Sequence, residues 1–286
     1  MHARTAWILA GGGSLGAVQV GSLQALIAAG LCPDLVVGAS VGAINAAYLA
    51  GRPDSAGMEA LASIWRGLRR QDVFPLSWID GLRTALGRRS YLISPSALGR
   101  VIDAALPYAR LEKAAIPIHV VATDLLTGEA VSLSEGSART ALLASAAIPS
   151  VFPAVTHQGR TLIDGGVTSN TPIAEAIALG AERLIVLPTG FSCASDDRPQ
   201  SAWAMALHAI NLLIMRQLVR DVALHGQRAE IVIVPPLCPL AVNVFDFDHG
   251  AELIDRARDA TAQWLDHGGI ARPGVPDSLR PHHHGS

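Results

Sequence analysis

Lysine is nearly missing from this chain of 286 residues: Lys113 is the only one, and the other basic side chains are arginine. The formal net charge is −2 and the isoelectric point about 6.5. That balance excludes the strongly basic surface of a typical nucleic-acid binder, so no nucleic-acid partner is expected. There are three cysteines, Cys32, Cys193 and Cys238, far apart and without CxxC spacing. Neither a disulfide framework nor a zinc site is expected from them. Such usage is compatible with a reducing compartment, and a cytoplasmic protein is the expectation. Charged residues make up only 16% and aromatics 5%, against 50% hydrophobic residues that are mostly Ala, Val, Leu and Ile. A sizeable core follows, and intrinsic disorder is excluded outside the ends. Long hydrophobic runs are lacking too. Val36–Ala50 falls short of the ~18–20 residues that span a bilayer. The apolar start, Met1–Ala10, is too short for a secretory leader and runs straight into Gly11-Gly12-Gly13. No membrane span is expected, and peripheral membrane contact stays open.

What is present alternates. Residues 5–10 (TAWILA) read as a buried strand, followed by a glycine turn and a helix over 14–29 closed by Gly30. Residues 34–39 (DLVVGA) read as a second buried strand, with a tight turn at Ser40 and a small-residue helix over 41–51. Strand–turn–helix twice in succession predicts a parallel α/β sheet. Residues 52–115 differ, with ten basic against six acidic side chains and five of the thirteen aromatics, and read as a helical insertion. Within it, 58–70 form an amphipathic helix with Arg66, Arg69 and Arg70 on the polar side. That side is either an ordinary solvated face or a basic interfacial one. Phe74, Leu76, Trp78 and Ile79 are either insertion core or the mouth of a pocket.

The α/β pattern then returns. Strands are read at 116–122, 129–133, 161–163 leading into Asp164, 183–187 and 230–234, and helices at 137–146, 172–179, 201–224 and 249–266. The whole predicts one domain over 5–266, a three-layer α/β/α fold with a mainly parallel central sheet. A loose tail over 268–286 is expected to follow. The helix over 201–224 is apolar on much of its surface, so it is buried or packs against another subunit or a membrane.

Three motifs carry chemistry. They are Gly11-Gly12-Gly13-Ser14-Leu15-Gly16, Gly38-Ala39-Ser40-Val41-Gly42 and Asp164-Gly165-Gly166. With 27 glycines in the chain, either glycine pattern arises by chance too often to persuade alone. Context raises both, because each sits where a buried strand hands over to a helix. A serine on such a turn is held with its hydroxyl exposed, and Gly38 and Gly42 let neighbouring backbone pack against it. The helix N-terminus behind it offers unsatisfied N–H groups. If the two strands are neighbours, ~4.8 Å apart, the amides of Gly11–Gly13 converge near Ser40, as an oxyanion requires. Ser40 needs a base. Asp164, at a strand end before two glycines, supplies a carboxylate whose proton affinity a dry pocket would raise.

In this order, the three blocks resemble the patatin-like phospholipase family. The resemblance implies a Ser–Asp dyad, with Ser40 as nucleophile, Asp164 as general base and the backbone N–H groups of Gly11, Gly12 and Gly13 as the oxyanion hole. Gly16, Gly38, Gly42, Gly165 and Gly166 support these turns. The likeness extends to Ala122-Thr123-Asp124-Leu125-Leu126-Thr127-Gly128, to Ser145-Ala146-Ala147-Ile148-Pro149, to Val151-Phe152-Pro153, and to Val167, Asn170 and Pro172. It implies a lipid or other acyl-ester substrate, hydrolysed without metal or organic cofactor. One position departs: the family usually has Arg or Lys where this chain has Leu15, so backbone donors or another arginine must serve the oxyanion.

Other readings stand beside this one. Gly11-x-Gly13-x-x-Gly16 with Asp34 imitates a dinucleotide fingerprint, but that leaves Ser40 and Asp164-Gly165-Gly166 unexplained. His157, His208, His225 or His249 would complete a triad in the order Ser…Asp…His, though none lies in a recognisable motif. His282–His284 is not read as a metal site. A non-catalytic lipid-binding protein on the same scaffold is the remaining alternative.

Overall fold

The computed structural model describes residues 3–75, 91–190 and 202–280. Leu76, Trp78, Ile79, Cys193 and His282–His284 lie outside them, as does the side chain of His208. Two short apolar runs, β1 (Thr5–Leu9) and β2 (Leu35–Ala39), pair in parallel at the centre of the sheet. Both are almost wholly buried, which is why they read as continuous apolar stretches and not as alternating ones. β3 (Ile118–Asp124) extends the parallel sheet beyond β2, and β7 (Arg183–Leu187) and β8 (Glu230–Ile233) extend it beyond β1. Alternate side chains serve two cores. Trp7, Leu9 and Val36 join one cluster, and Ala6, Ile8, Leu35 and Val37 the other.

Helices cover each face. On the first lie α1 (Gly16–Ala28), α2 (Val41–Gly51), α3 (Ser55–Gly67), α5 (Ser96–Ala105) and α10 (Gly250–Asp266). The short α4 (Arg70–Val73) follows α3. On the second lie α8 (Ile173–Ala178) and part of α9 (Ala202–His225). Layers of helix, sheet and helix result, as the sequence predicts. The basic side expected over 58–70 does not form as one face: α3 ends at Gly67, Leu68 and Arg69 are extended and Arg70 opens α4, while Arg66 pairs with Asp255 of α10 at 3.0 Å.

Three strands run antiparallel: β4 (Ala130–Leu133), β5 (Val155–His157) and β6 (Arg160–Asp164). Their register positions the site. Val120 and Val121 pair with both β2 and β4, and Ala122 and Thr123 with both β4 and β6. A strand has two edges, so β2 and β6 must share one edge of β3, end to end. Ala39, the last residue of β2, faces Val121, while Asp164, the last of β6, faces Ala122.

The segment after Gly268 is not loose through Arg280. Gly274 N–H donates to the Ile231 carbonyl at 2.8 Å, and Leu279 is buried in the second core. A backbone bond to β8 and one apolar anchor hold a stretch whose Gly and Pro content reads as a tail.

Candidate active site

Ser40 occupies the residue between β2 and α2 with φ 54° and ψ −129°, a backbone conformation that non-glycine residues rarely adopt. Close packing makes the turn possible. A Cβ on Gly42 would lie 2.2 Å from the Leu9 carbonyl oxygen, and one on Gly38 2.7 Å from Ala43 Cα. Gly16 plays a similar part at the start of α1, where a Cβ would meet Val41 and the Trp65 ring. Ser40 N–H donates to Ser145 Oγ at 2.8 Å, and Ser145 Oγ donates to the Val121 carbonyl at 2.6 Å. Ser145 ends α6 (Ala138–Ser145) and is fully buried. Its part in holding the serine turn is invisible in the sequence, where it reads as a residue near a helix end and as the first of the Ser145–Pro149 block.

Ser40 Oγ donates to Asp164 Oδ2 at 2.7 Å, and the other carboxylate oxygen accepts the Gly166 N–H at 2.7 Å. Gly165 donates its N–H to the Ser145 carbonyl, and Gly166 opens the short α7 (Gly166–Ser169). The Asp164 backbone is fixed as well, N–H to the Ala147 carbonyl at 3.0 Å and carbonyl to Thr123 Oγ1 at 2.9 Å. Burial pushes the Asp164 carboxyl up from 3.8 to about 6, against the two hydrogen bonds, which hold it down. A buried carboxylate with one lone pair aimed at a serine hydroxyl is a serviceable proton acceptor near neutral pH.

The glycine block needs one correction. Gly11 was expected to aim its N–H at an oxyanion, but that N–H donates to the Asn170 carbonyl at 3.1 Å. The Gly11 carbonyl accepts from Thr189 Oγ1 at 2.9 Å, which pins the residue further. Gly11 is a packing residue beside Ser40: a Cβ there would lie 3.1 Å from Ser40 Cβ. By contrast, the N–H groups of Gly12 and Gly13 donate to no acceptor among the described residues, nor does that of Val41, the first residue of α2. Gly13, at φ 58°, lines the same cavity as Ser40 and Val41. Leu15 is 1% exposed and belongs to the core, so no cation occupies the departing position, and no arginine lines the cavity among the described residues.

That cavity is almost wholly apolar. It leads from Gly13 and Ser40 along one face of α2, past Val41, Ile44 and Tyr48, with α3 and α5 as its other walls. Phe74 stacks on Phe152 at 5.5 Å and meets Phe245 edge-on at 5.3 Å, closing one side with ring contacts. Trp65 Nε1 donates to Asn45 Oδ1, and Asn45 Nδ2 donates to the Gly16 carbonyl and Gln19 Oε1, so the polar atoms behind the wall are satisfied.

No imidazole bonds to Ser40 or Asp164 among the described residues. His249 faces Asp246 and Glu252, and His225 ends α9 with its Nδ1 unpaired. The dinucleotide reading fails on geometry. Asp34 precedes β2 and accepts the Thr5 N–H at 2.7 Å, so it lies at the edge of the parallel sheet opposite the glycine turn that follows β1.

The family model for patatin-like phospholipase matches residues 8–177. An uncharacterised NTE family protein of Mycobacterium tuberculosis is 31% identical over 196 residues, covering 68% of this chain and 51% of that protein. Patatin-like phospholipase domain-containing protein 6 of Homo sapiens is 26% identical over 193 residues, covering 67% of this chain but 14% of that protein. The chain thus spans about half the length of the mycobacterial relative and far less of the human one. Human GIVD cytosolic phospholipase A2 superposes with a TM-score of 0.51 over 97% of this chain and 63% of that one, at 10% identity, a likeness of fold alone. By the extent of the family match and the mycobacterial relative, this chain belongs to the patatin-like phospholipase family.

Proposed function

We propose that the protein is a serine acyl-hydrolase acting on lipid acyl esters through Ser40 and Asp164. The observation that carries this reading is the 2.7 Å hydrogen bond from a strained serine to a buried carboxylate, at the head of an apolar cavity. Asp164 takes the Ser40 proton as Oγ attacks the ester carbonyl carbon. The carbonyl oxygen becomes an oxyanion, held by the N–H groups of Gly12, Gly13 and Val41. The intermediate collapses, and the leaving alkoxide takes the proton from Asp164. Water then gives a proton to Asp164 and attacks the acyl-serine, and collapse of this second intermediate returns that proton to Ser40 and frees the acid. The apolar cavity suits the acyl chain, which gains by leaving water.

A fluorophosphonate probe tests the nucleophile. Mass spectrometry should place the adduct on Ser40, and Ser40→Ala should abolish it. Ester turnover persisting without an adduct at Ser40 would refute the assignment.

A further inference from the structure

The helix α9 connects the parallel strands β7 and β8, so it runs back against them and begins at the carboxyl edge of the sheet, where Ser40 and Gly11–Gly13 lie. It has 24 residues, a length of ~36 Å. The strands it connects have 5 and 4 residues, ~17 Å at most. The helix therefore overhangs the sheet. Gln217 marks the level at which it leaves, because its Nε2 donates to the Thr168 carbonyl at 2.8 Å, and Thr168 lies in α7 just after Asp164. Among its described side chains, those that are buried, Leu218, Val222 and His225, all follow Gln217. Before it, Met205, Ile210, Leu212 and Leu213 are exposed, Leu213 at 70%.

Other apolar side chains crowd the same edge. Val167 neighbours Thr168, whose Oγ1 donates to the Gly128 carbonyl and so ties α7 to the β3–β4 turn. That turn carries Leu125 and Leu126, the latter 85% exposed. An outward face of leucines costs free energy in water and marks a surface with a partner. Along the helix the exposed charges are of one sign, while the Leu125–Leu126 turn ends at the exposed Glu129. Arg216 and Arg220 are exposed one and two turns beyond Leu212, on the same side of α9. The only carboxylate of the helix, Asp221, is half-buried.

We infer that this overhang, with the Leu125–Leu126 turn, is a docking surface for a bilayer containing anionic phospholipid. The inference rests on the lipid-ester reading of the site, which gives an enzyme reason to meet a membrane at this edge. Leucines enter the headgroup boundary while the two arginines face lipid phosphates. A second copy of the chain is the poorer occupant. A two-fold contact would set Arg216 and Arg220 of both copies against one patch, with no carboxylate on this face of the helix to answer them.

The test is flotation of the full chain with phosphatidylcholine vesicles, with and without phosphatidylglycerol. The chain should float with the anionic vesicles and be released by salt. Leu212→Ser with Leu213→Ser should cut partitioning by about a hundredfold, since each leucine contributes about a tenfold factor. Leu126→Ser should weaken it less, and Arg216→Ser with Arg220→Ser should remove the preference for anionic vesicles. All three variants should hydrolyse a soluble short-chain ester like the parent, which shows that the fold survives. Ser40→Ala should still float, so loss of turnover and loss of docking are separable. Flotation unchanged by the leucine substitutions would overturn the inference. So would failure of the parent to float, or a dimer in solution that the leucine substitutions dissociate.

Discussion

Ala39 and Asp164 face consecutive residues of one strand, Val121 and Ala122, because β2 and β6 lie end to end along the same edge of β3. That single register step brings Ser40, the residue after Ala39, within 2.7 Å of a carboxylate 124 positions away. The Ser40–Asp164 pair is therefore positioned by the sheet and not by a loop, and its geometry is as rigid as the strand pairing.

Acidity should control turnover through Asp164. Its carboxyl sits at about 6, raised by burial, so kcat/KM for a neutral ester should fall tenfold per pH step below about pH 6. Asp164→Asn should abolish the profile along with most of the rate.

Stability should respond in the opposite sense. Because the folded value of about 6 lies above the ordinary 3.8, the folded state binds the proton more tightly than the unfolded chain. The resulting stabilisation is complete below about pH 4 and is lost as pH rises through about 6, with up to ~3 kcal/mol at stake. Denaturant unfolding at pH 5 and pH 8 should show Asp164→Asn gaining on the parent at the higher pH.

Ser145→Ala should loosen the serine turn. It removes the acceptor of the Ser40 N–H and the donor to the Val121 carbonyl, at a cost of about 1–3 kcal/mol. A fall in kcat with KM nearly unchanged would show that the loss is in positioning.

Leu15→Arg restores the cation common in the family. Here the side chain is packed in the core, so an unpaired charge should cost more than about 3 kcal/mol. No gain in activity should accompany it.

Ile44→Trp should narrow the cavity one turn of α2 beyond Ser40. Turnover of octanoyl esters should drop by about tenfold or more relative to acetyl esters.

Much of this was legible in the sequence. β1, β2 and the turns after them announce themselves, because buried parallel strands are apolar on both faces and the turns demand Gly38 and Gly42. The order of the three motif blocks named the family. What escaped depends on contacts between distant segments. The commitment of the Gly11 amide is set by Asn170, the brace on Ser40 by Ser145, and the anchoring of the tail by Leu279 against the second core. The three-residue β5 is too short to read, and its pairing with Arg160–Leu162 is stabilised by the sheet it joins. The overhang of α9 follows from the shortness of the strands beside it, which hydrophobic periodicity does not report.

The most direct test is steady-state hydrolysis of a nitrophenyl ester and of a phospholipid by the parent, Ser40→Ala and Asp164→Asn, with the fold of each checked by circular dichroism. The account predicts no turnover above background for Ser40→Ala and a loss of at least about a thousandfold for Asp164→Asn. Parent-like rates from either variant, or a fully folded parent that cleaves neither substrate, would contradict it.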